Sequence, residues 1–201
     1  MTHTVTKSKK FSAIILAAGL STRMGHPKLL LPYDKELTFI EQIVKTYNLF
    51  GCEEICIVVN ESVIQLMENQ NLKLHDAKLI INPHPEWQKF YSLHLAAKVM
   101  SKPQRTFIQN IDNPFTKKET LNILAEKSST ADYIIPTFEG KGGHPFLAST
   151  KVLETVLKTE DPQTHFKQFM QQFPSLRVPV NDERITININ SREEYERWFS
   201  F

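Results

Sequence analysis

Short apolar runs alternate along the chain with longer stretches in which apolar positions recur at helical spacing. Four runs have almost no polar interruption, as is typical of strands that are buried on both faces of a parallel sheet. These runs predict strands over residues 11–17, 54–60, 77–82 and 105–111. The stretches that follow them predict helices over residues 37–50, 62–69, 91–101 and 117–127.

The remainder of the chain continues this alternation with shorter elements. It predicts strands over residues 132–138, 145–148, 176–180 and 185–189, and helices over residues 151–158, 162–173 and 192–199. Three residues suggest helix boundaries: Gly51 as a stop, and Thr116 and Ser191 as N-caps. The order predicts a three-layer α/β fold with a Rossmann-like, mostly parallel sheet. We expect one domain over residues 11–201, preceded by a flexible tail over residues 1–10.

Charge and composition limit the partners to be expected. Lys and Arg number 24 against 22 Asp and Glu, so the net charge of +2 supplies no basic excess for nucleic-acid binding. No apolar run approaches the ~20 residues that cross a bilayer, and the polar N-terminal segment lacks the apolar stretch of a signal peptide. We therefore expect neither a nucleic-acid partner nor a membrane span.

The metal-binding and redox residue types are sparse. Cys52 and Cys56 lie four positions apart, which does not match the C-x-x-C spacing of redox and zinc pairs. The seven histidines form no cluster with zinc-ligand spacing. We expect both cysteines to be free thiols in a reducing, cytoplasmic setting.

The loop after the first predicted strand is the strongest candidate for chemistry. Its sequence, LAAGLSTRMGHPK, contains Gly19 and the two cations Arg23 and Lys28. A loop of small residues at a strand end exposes backbone N–H groups to an anion, and the two cations add charge for a polyphosphate. A basic surface turn is the alternative. The loop has neither the P-loop pattern nor the G-x-G-x-x-G pattern.

Asp112 is the second candidate, because it directly follows the predicted strand over residues 105–111. Its carboxylate should emerge at the same edge of the sheet as the glycine-containing loop. A carboxylate beside phosphates is a typical ligand of Mg²⁺. A turn or cap aspartate before a proline is the alternative interpretation.

The loop sequence resembles the signature of the MobA-like nucleotidyltransferase family. The positions that match are Leu16, Ala17, Ala18, Gly19, Ser21, Arg23, Met24, Gly25, Lys28, Leu29 and Leu30. The resemblance implies the fold of nucleotide-diphospho-sugar transferases and a loop that binds the triphosphate of a nucleotide. It implies catalytic roles for Arg23, Lys28 and Asp112, and nucleotide contacts from residues 16–19 and Ser21.

Weaker resemblances extend along the chain. The segment around Asp112-Asn113-Pro114 resembles the family's metal-binding element, and Asn190 stands where the family has a second metal ligand. Gly143 and His144 resemble an element on the acceptor side of the pocket. Asn82 and Ser92 match an element that contacts the base and ribose, although residues 89–91 are larger than is usual there. Asn113 and Arg192 also depart from the family pattern.

The resemblance implies an Mg²⁺-dependent enzyme that transfers NMP from an NTP to a phosphorylated small-molecule acceptor and releases pyrophosphate. The Ala17-Ala18-Gly19 sequence resembles the cytidylyl-transferring branch, which implies CMP transfer to molybdopterin. Sugar-phosphate and alcohol-phosphate nucleotidyltransferases share this sequence and are an alternative. A nucleotide-binding module without turnover is a second alternative, whereas a dinucleotide-dependent oxidoreductase lacks support because G-x-G-x-x-G is absent.

Overall fold

The structure is a computed structural model that describes residues 10–21, 24–101 and 104–199. Within these residues one eight-stranded sheet has helices on both faces, which confirms the three-layer α/β prediction. The strands are β1 (Phe11–Leu16), β2 (Glu54–Asn60), β3 (Lys78–Asn82), β4 (Arg105–Asn110), β5 (Tyr133–Phe138), β6 (Lys141–Gly142), β7 (Phe146–Ala148) and β8 (Ser175–Pro179). The α-helices are α1 (Phe39–Phe50), α2 (Glu61–Glu68), α3 (Gln88–Val99), α4 (Lys118–Glu126), α5 (Thr150–Lys158), α6 (Phe166–Met170) and α7 (Arg192–Trp198).

The sheet order is β3-β2-β1-β4-β7-β5-β6, and β8 pairs with β5. Strands β1 to β4 are mutually parallel, whereas β7 runs antiparallel to both β4 and β5. In the central pair, Leu16 at the end of β1 is in register with Asn110 at the end of β4. The loops that follow these two strands therefore leave the sheet side by side at its carboxyl edge.

The apolar runs form the central strands because both faces of the sheet are covered. Ala13 and Ile15 of β1 point into a core built with α1, α2 and α4, while Ile14 points into a second core built with α3 and α5. The predicted stripe of α1 is buried, and the helix ends at Gly51 with φ +96°. Thr38 and Glu41 form a capping box at its start.

Three local predictions are wrong. Residues 185–189 do not form a strand; instead a 3-10 helix spans Glu183–Thr186. Thr116 does not cap α4, because its hydroxyl donates to Gln109 Oε1 at 2.6 Å and Lys117 occupies the N-cap. The helix predicted over residues 162–173 is restricted to Phe166–Met170. The remaining boundaries agree within three residues, and Ser191 caps α7 as predicted.

The predicted tail, residues 1–10, lies outside the described residues except for Lys10. No helix in the described ranges has the length and apolar character needed to cross a membrane. Cys52 and Cys56 are free thiols, and burial raises the pKa of each to about 12, so both stay protonated at neutral pH.

Candidate functional site

A cavity of about 220 Å³ opens at the carboxyl edge of the sheet where β1 and β4 end. Eight of the site residues proposed from the sequence line it: Leu16, Ala18, Gly19, Ser21, Lys28, Ser92, Asp112 and Asn190. Arg23 lies outside the described residues. The glycine-containing loop and Asp112 thus face one space, as the parallel arrangement of their strands requires.

Hydrogen bonds with β2 fix the backbone at the start of the loop. Ala17 N donates to Val58 O at 2.8 Å, and Asn60 Nδ2 donates to Ala18 O at 3.1 Å. A Cβ placed on Gly19 would meet no atom within 4 Å, so the backbone of Gly19 borders open space. Ala17 is buried and is not among the residues that line the cavity.

Lys28 joins the two ends of the described chain. Its Nζ donates to Asn190 Oδ1 at 2.7 Å, across 162 positions of sequence. The backbone N–H of Asn190 donates to Glu194 Oε2 at 2.6 Å, and Glu194 also belongs to the capping box of α7. The N-terminus of α7 therefore determines where the Asn190 amide meets the lysine.

Asp112 presents an unsatisfied carboxylate oxygen to the site. Its Oδ1 is buried and has no hydrogen-bond partner within the described part of the chain. Its backbone carbonyl accepts from Ile189 N at 2.7 Å, which brings Asn190 next to this strand end. An unpaired carboxylate oxygen is a ligand that a hard cation such as Mg²⁺ prefers, and the Asn190 amide oxygen, which accepts from Lys28, lines the same cavity. The described residues contain no cluster of three or more His, Cys, Asp or Glu that could hold a metal ion.

Asn113 has a structural role that accounts for its departure from the family pattern. The residue is fully buried, and its Nδ2 lies 2.7–2.9 Å from the carbonyl oxygens of Arg184, Ile185 and Ile187. It therefore ties the end of β4 to the segment that leads to Asn190.

A second cavity of about 680 Å³ adjoins the first, and both are lined by Lys89 and Asn110. Its walls combine aromatic rings with cations, and they include Tyr133, Phe146, Phe166, Phe173, Lys167 and Arg177. The predicted acceptor-side residues Gly143 and His144 line this second cavity rather than the first.

His144 lies where the two cavities meet. Asn110 Nδ2 is 2.8 Å from its Nε2, so Nε2 accepts and the neutral ring carries its proton on Nδ1. That Nδ1 is buried without a partner among the described residues. Burial, helped by the charge of Lys89 and opposed by that of Asp112, lowers the pKa of His144 to about 4. The ring is therefore neutral at physiological pH.

Gly143 is required by a close approach of the backbone. A Cβ at this position would lie 2.3 Å from the carbonyl oxygen of Ile185. The family resemblance assigned Gly143 to the acceptor side of the pocket, and the structure places the backbone of Ile185 directly against it.

The helix α3 forms the remaining wall of the first cavity. Ser92 faces the cavity, and buried Asn82 donates to its hydroxyl at 2.9 Å, so Asn82 positions Ser92 and does not itself line the cavity. Phe90 is fully buried in the core and does not block the opening. The lining residues that were not predicted as site residues include Gln88, Lys89 and Asn110. Asn110 had a usable signal, since it ends the strand that precedes Asp112.

Comparison with known proteins places this geometry in context. The family model described as "MobA-like NTP transferase domain" matches residues 13–176. The "Probable molybdenum cofactor guanylyltransferase" of Bacillus mycoides is 28% identical and aligns over 92% of this chain and 94% of its own. The "Molybdenum cofactor cytidylyltransferase" of Escherichia coli is 24% identical over 90% and 92% of the two chains.

Two crystal structures of Rv0371c from Mycobacterium tuberculosis share the fold, one of them a complex with manganese. They have TM-scores of 0.77 and 0.72 at 18% identity. Both cover 94% of this chain, and they are covered over 97% and 98% of their own length.

Proposed function

This chain belongs to the MobA-like NTP transferase family and is a nucleotidyltransferase, and from this premise we propose that it transfers NMP from a magnesium-bound NTP to molybdopterin. The observation that carries the proposal is that one cavity joins the glycine-containing loop, Lys28, Asp112 and Asn190. These are the groups that a polyphosphate and a divalent cation need together.

In the proposed reaction a phosphate oxygen of the acceptor forms a bond to the α-phosphorus of the NTP. The bond from that phosphorus to the oxygen of the β-phosphate breaks, and pyrophosphate leaves. The attacking phosphate is already ionised, so the reaction needs positioning and neutralisation of charge more than a general base. The lowered pKa of His144, about 4, makes its ring a weak base, which agrees with this requirement.

The roles of the residues follow from their placement. Loop N–H groups and Lys28 bind the triphosphate, since a cation beside exposed amides favours an anion. Asp112 and Asn190 are the residues that would hold Mg²⁺, which when bound neutralises charge on the phosphates. Arg23 is proposed, from the family signature alone, as a further phosphate ligand.

The second cavity supports a ring-bearing acceptor. Aromatic side chains with cations at its edges suit a planar heterocycle that carries a phosphate, as molybdopterin does. We propose CMP as the transferred group because Ala17-Ala18-Gly19 resembles the cytidylyl branch, while relatives are named for both guanylyl and cytidylyl transfer.

Pyrophosphate release from CTP or GTP with molybdopterin and Mg²⁺ tests the proposal. We expect Asp112→Asn and Lys28→Ala to lower kcat/KM by about 10²-fold or more, the usual cost of removing a group that stabilises developing charge. Asp76→Asn is the matched control, because Asp76 is an exposed carboxylate that precedes β3 at the opposite edge of the sheet. Near-normal turnover in either site variant would show that the assigned roles are wrong.

A further inference from the structure

Lys89 occupies a position that sequence reasoning treated only as a departure from the family pattern. It stands in the first turn of α3 and lines both cavities, and among the described residues only Asn110 does the same. Of the charged residues described in the wall of the first cavity, Lys28 and Asp112 do not reach the second. Lys89 therefore brings positive charge to the junction of the two spaces.

Nothing in the described protein engages the ammonium group of Lys89. The side chain is exposed, and it forms no salt bridge within residues 10–21, 24–101 and 104–199. By contrast, Lys28 is hydrogen-bonded to Asn190. An exposed lysine at a cavity wall without an internal partner is free to bind an anionic ligand and does little for the stability of the fold.

The residues at the junction of the two cavities are linked through Asn110, which lines both cavities and whose Nδ2 is 2.8 Å from His144 Nε2. The charge of Lys89 acts on the His144 ring in the direction that lowers the ring's pKa, and the charge of Asp112 acts on the same ring in the opposite direction. Both charges are therefore felt at His144.

The backbone before Lys89 adds a second observation. Gln88 has φ +64° and ψ −160°, a region that is adopted almost only by glycine and is strained for other residues. Strain of this kind persists where the surrounding structure requires a particular chain direction. Here it starts α3 so that its first turn, without a side-chain cap, borders the first cavity. The partial positive charge of this helix end has the same sign as Lys89.

We propose that Lys89 binds phosphate at the junction, between the α-phosphate of the nucleotide and the phosphate of the acceptor. This inference rests on the proposed function. Two anionic groups must approach each other there before a bond can form, and a cation between them reduces their repulsion. Lys28 binds the outer phosphates, so the two lysines act on different parts of the bound NTP.

Kinetics of Lys89→Met test the proposal. We expect kcat to fall about 10- to 100-fold and KM for the acceptor to rise, because the lost cation acts on both phosphates. Lys89→Arg should recover most of kcat. Lys98→Met is the matched control, since Lys98 is exposed on the same helix and lines neither cavity. All variants should melt close to the wild-type temperature.

Calorimetric titration separates this proposal from the proposed function. With CTP or GTP and Mg²⁺, Lys89→Met should raise Kd about 3- to 10-fold, whereas Kd for pyrophosphate should stay unchanged because Lys28 and the loop bind it. Equal weakening for pyrophosphate, or wild-type values of kcat and Kd, would overturn the proposal. A wild-type chain that binds nucleotide without turnover would contradict only the proposed function, and one that binds neither probe would contradict both.

Discussion

At the scale of residues, two of the four buried side-chain atoms that lack a hydrogen-bond partner among the described residues belong to residues that line the two cavities. Asp112 Oδ1 and His144 Nδ1 have no hydrogen-bond partner among the described residues, and their residues line the first and second cavity. An unsatisfied buried polar atom costs about 1–3 kcal/mol, so such atoms persist mainly where a ligand satisfies them. Both atoms are therefore suited to contact substrate or metal.

The shifted titration of His144 has a measurable consequence for stability. Its pKa is about 4 in the folded chain, against an ordinary value of 6.5, so the unfolded chain binds more protons between these values. The contribution of His144 to the free energy of unfolding is fully present above pH 6.5 and is lost progressively as the pH falls towards 4. At its steepest, the free energy of unfolding should decline by about 1.4 kcal/mol per pH unit from this group.

Urea unfolding of wild type and His144→Gln at several pH values between 7 and 4 measures this effect. Glutamine can still accept from Asn110 but does not titrate. We expect the difference in stability between the two proteins to shift in favour of the variant as the pH falls. Parallel pH profiles would contradict the assignment of this shift to His144.

At the scale of elements, the segment over residues 183–190 explains a wrong strand prediction. Its alternating sequence, Ile185-Thr186-Ile187-Asn188-Ile189, places Ile185 and Ile189 in the interior, as in a strand. Among the described residues the backbone forms no strand ladder there: the carbonyl groups of Arg184, Ile185 and Ile187 accept from the side chain of Asn113, and only isolated backbone bonds join the segment to His144 and Asp112. A side-chain amide replaces the ladder of a sheet at this point.

Replacing Asn113 tests this interpretation. Asn113→Leu replaces the amide by an apolar group of similar size and leaves the carbonyl of Ile187 without its donor, so we expect a loss of about 1–3 kcal/mol in the free energy of unfolding. Chemical denaturation measures it. Asn181→Leu serves as the control, since Asn181 is exposed, and it should change stability by less than about 0.5 kcal/mol. Equal effects in the two variants would show that the amide of Asn113 does not hold the segment.

At the scale of the whole molecule, the order of strands creates the site. Parallel pairing of β1 with β4 places their carboxyl ends together, and β7 on the other side of β4 leads back to His144 and the second cavity. Ligands of open α/β sheets bind at this edge, outside the ends of the strands. Two adjoining cavities give room for two substrates at once.

Binding of nucleotide should therefore stabilise the entire fold. At a concentration of 100 times Kd, a ligand that binds only the native state adds about 2.7 kcal/mol, which corresponds to a rise in Tm of about 5–10 °C for a chain of this size. Thermal unfolding with CTP, GTP, UTP and ATP, each with and without Mg²⁺, identifies the preferred base. Asp112→Asn should reduce the part of the rise that depends on Mg²⁺. Unchanged Tm with all four nucleotides would contradict a nucleotide site.

The sequence by itself determined the order of strands and helices, the three-layer class and the loop that begins at Leu16. These features are local in sequence. A strand that is buried on both faces is apolar throughout, and a helix that is buried on one face has apolar residues at helical spacing. The residues of the glycine-containing loop are consecutive in the sequence. The boundaries of β2 and the cap of α7 at Ser191 were predicted for this reason.

Only the tertiary structure decided how distant residues meet. Lys28 is hydrogen-bonded to Asn190 across 162 positions of sequence. The side chain of Asn113 donates to backbone carbonyl groups within residues 184–187. Lys89 lines both cavities. Such meetings depend on which strands are neighbours and on which polar groups compete for the same backbone partner. The local pattern of apolar residues reveals neither the neighbouring strands nor the competing polar groups. The same alternation occurs in a strand and in a segment whose carbonyl groups accept from a buried amide.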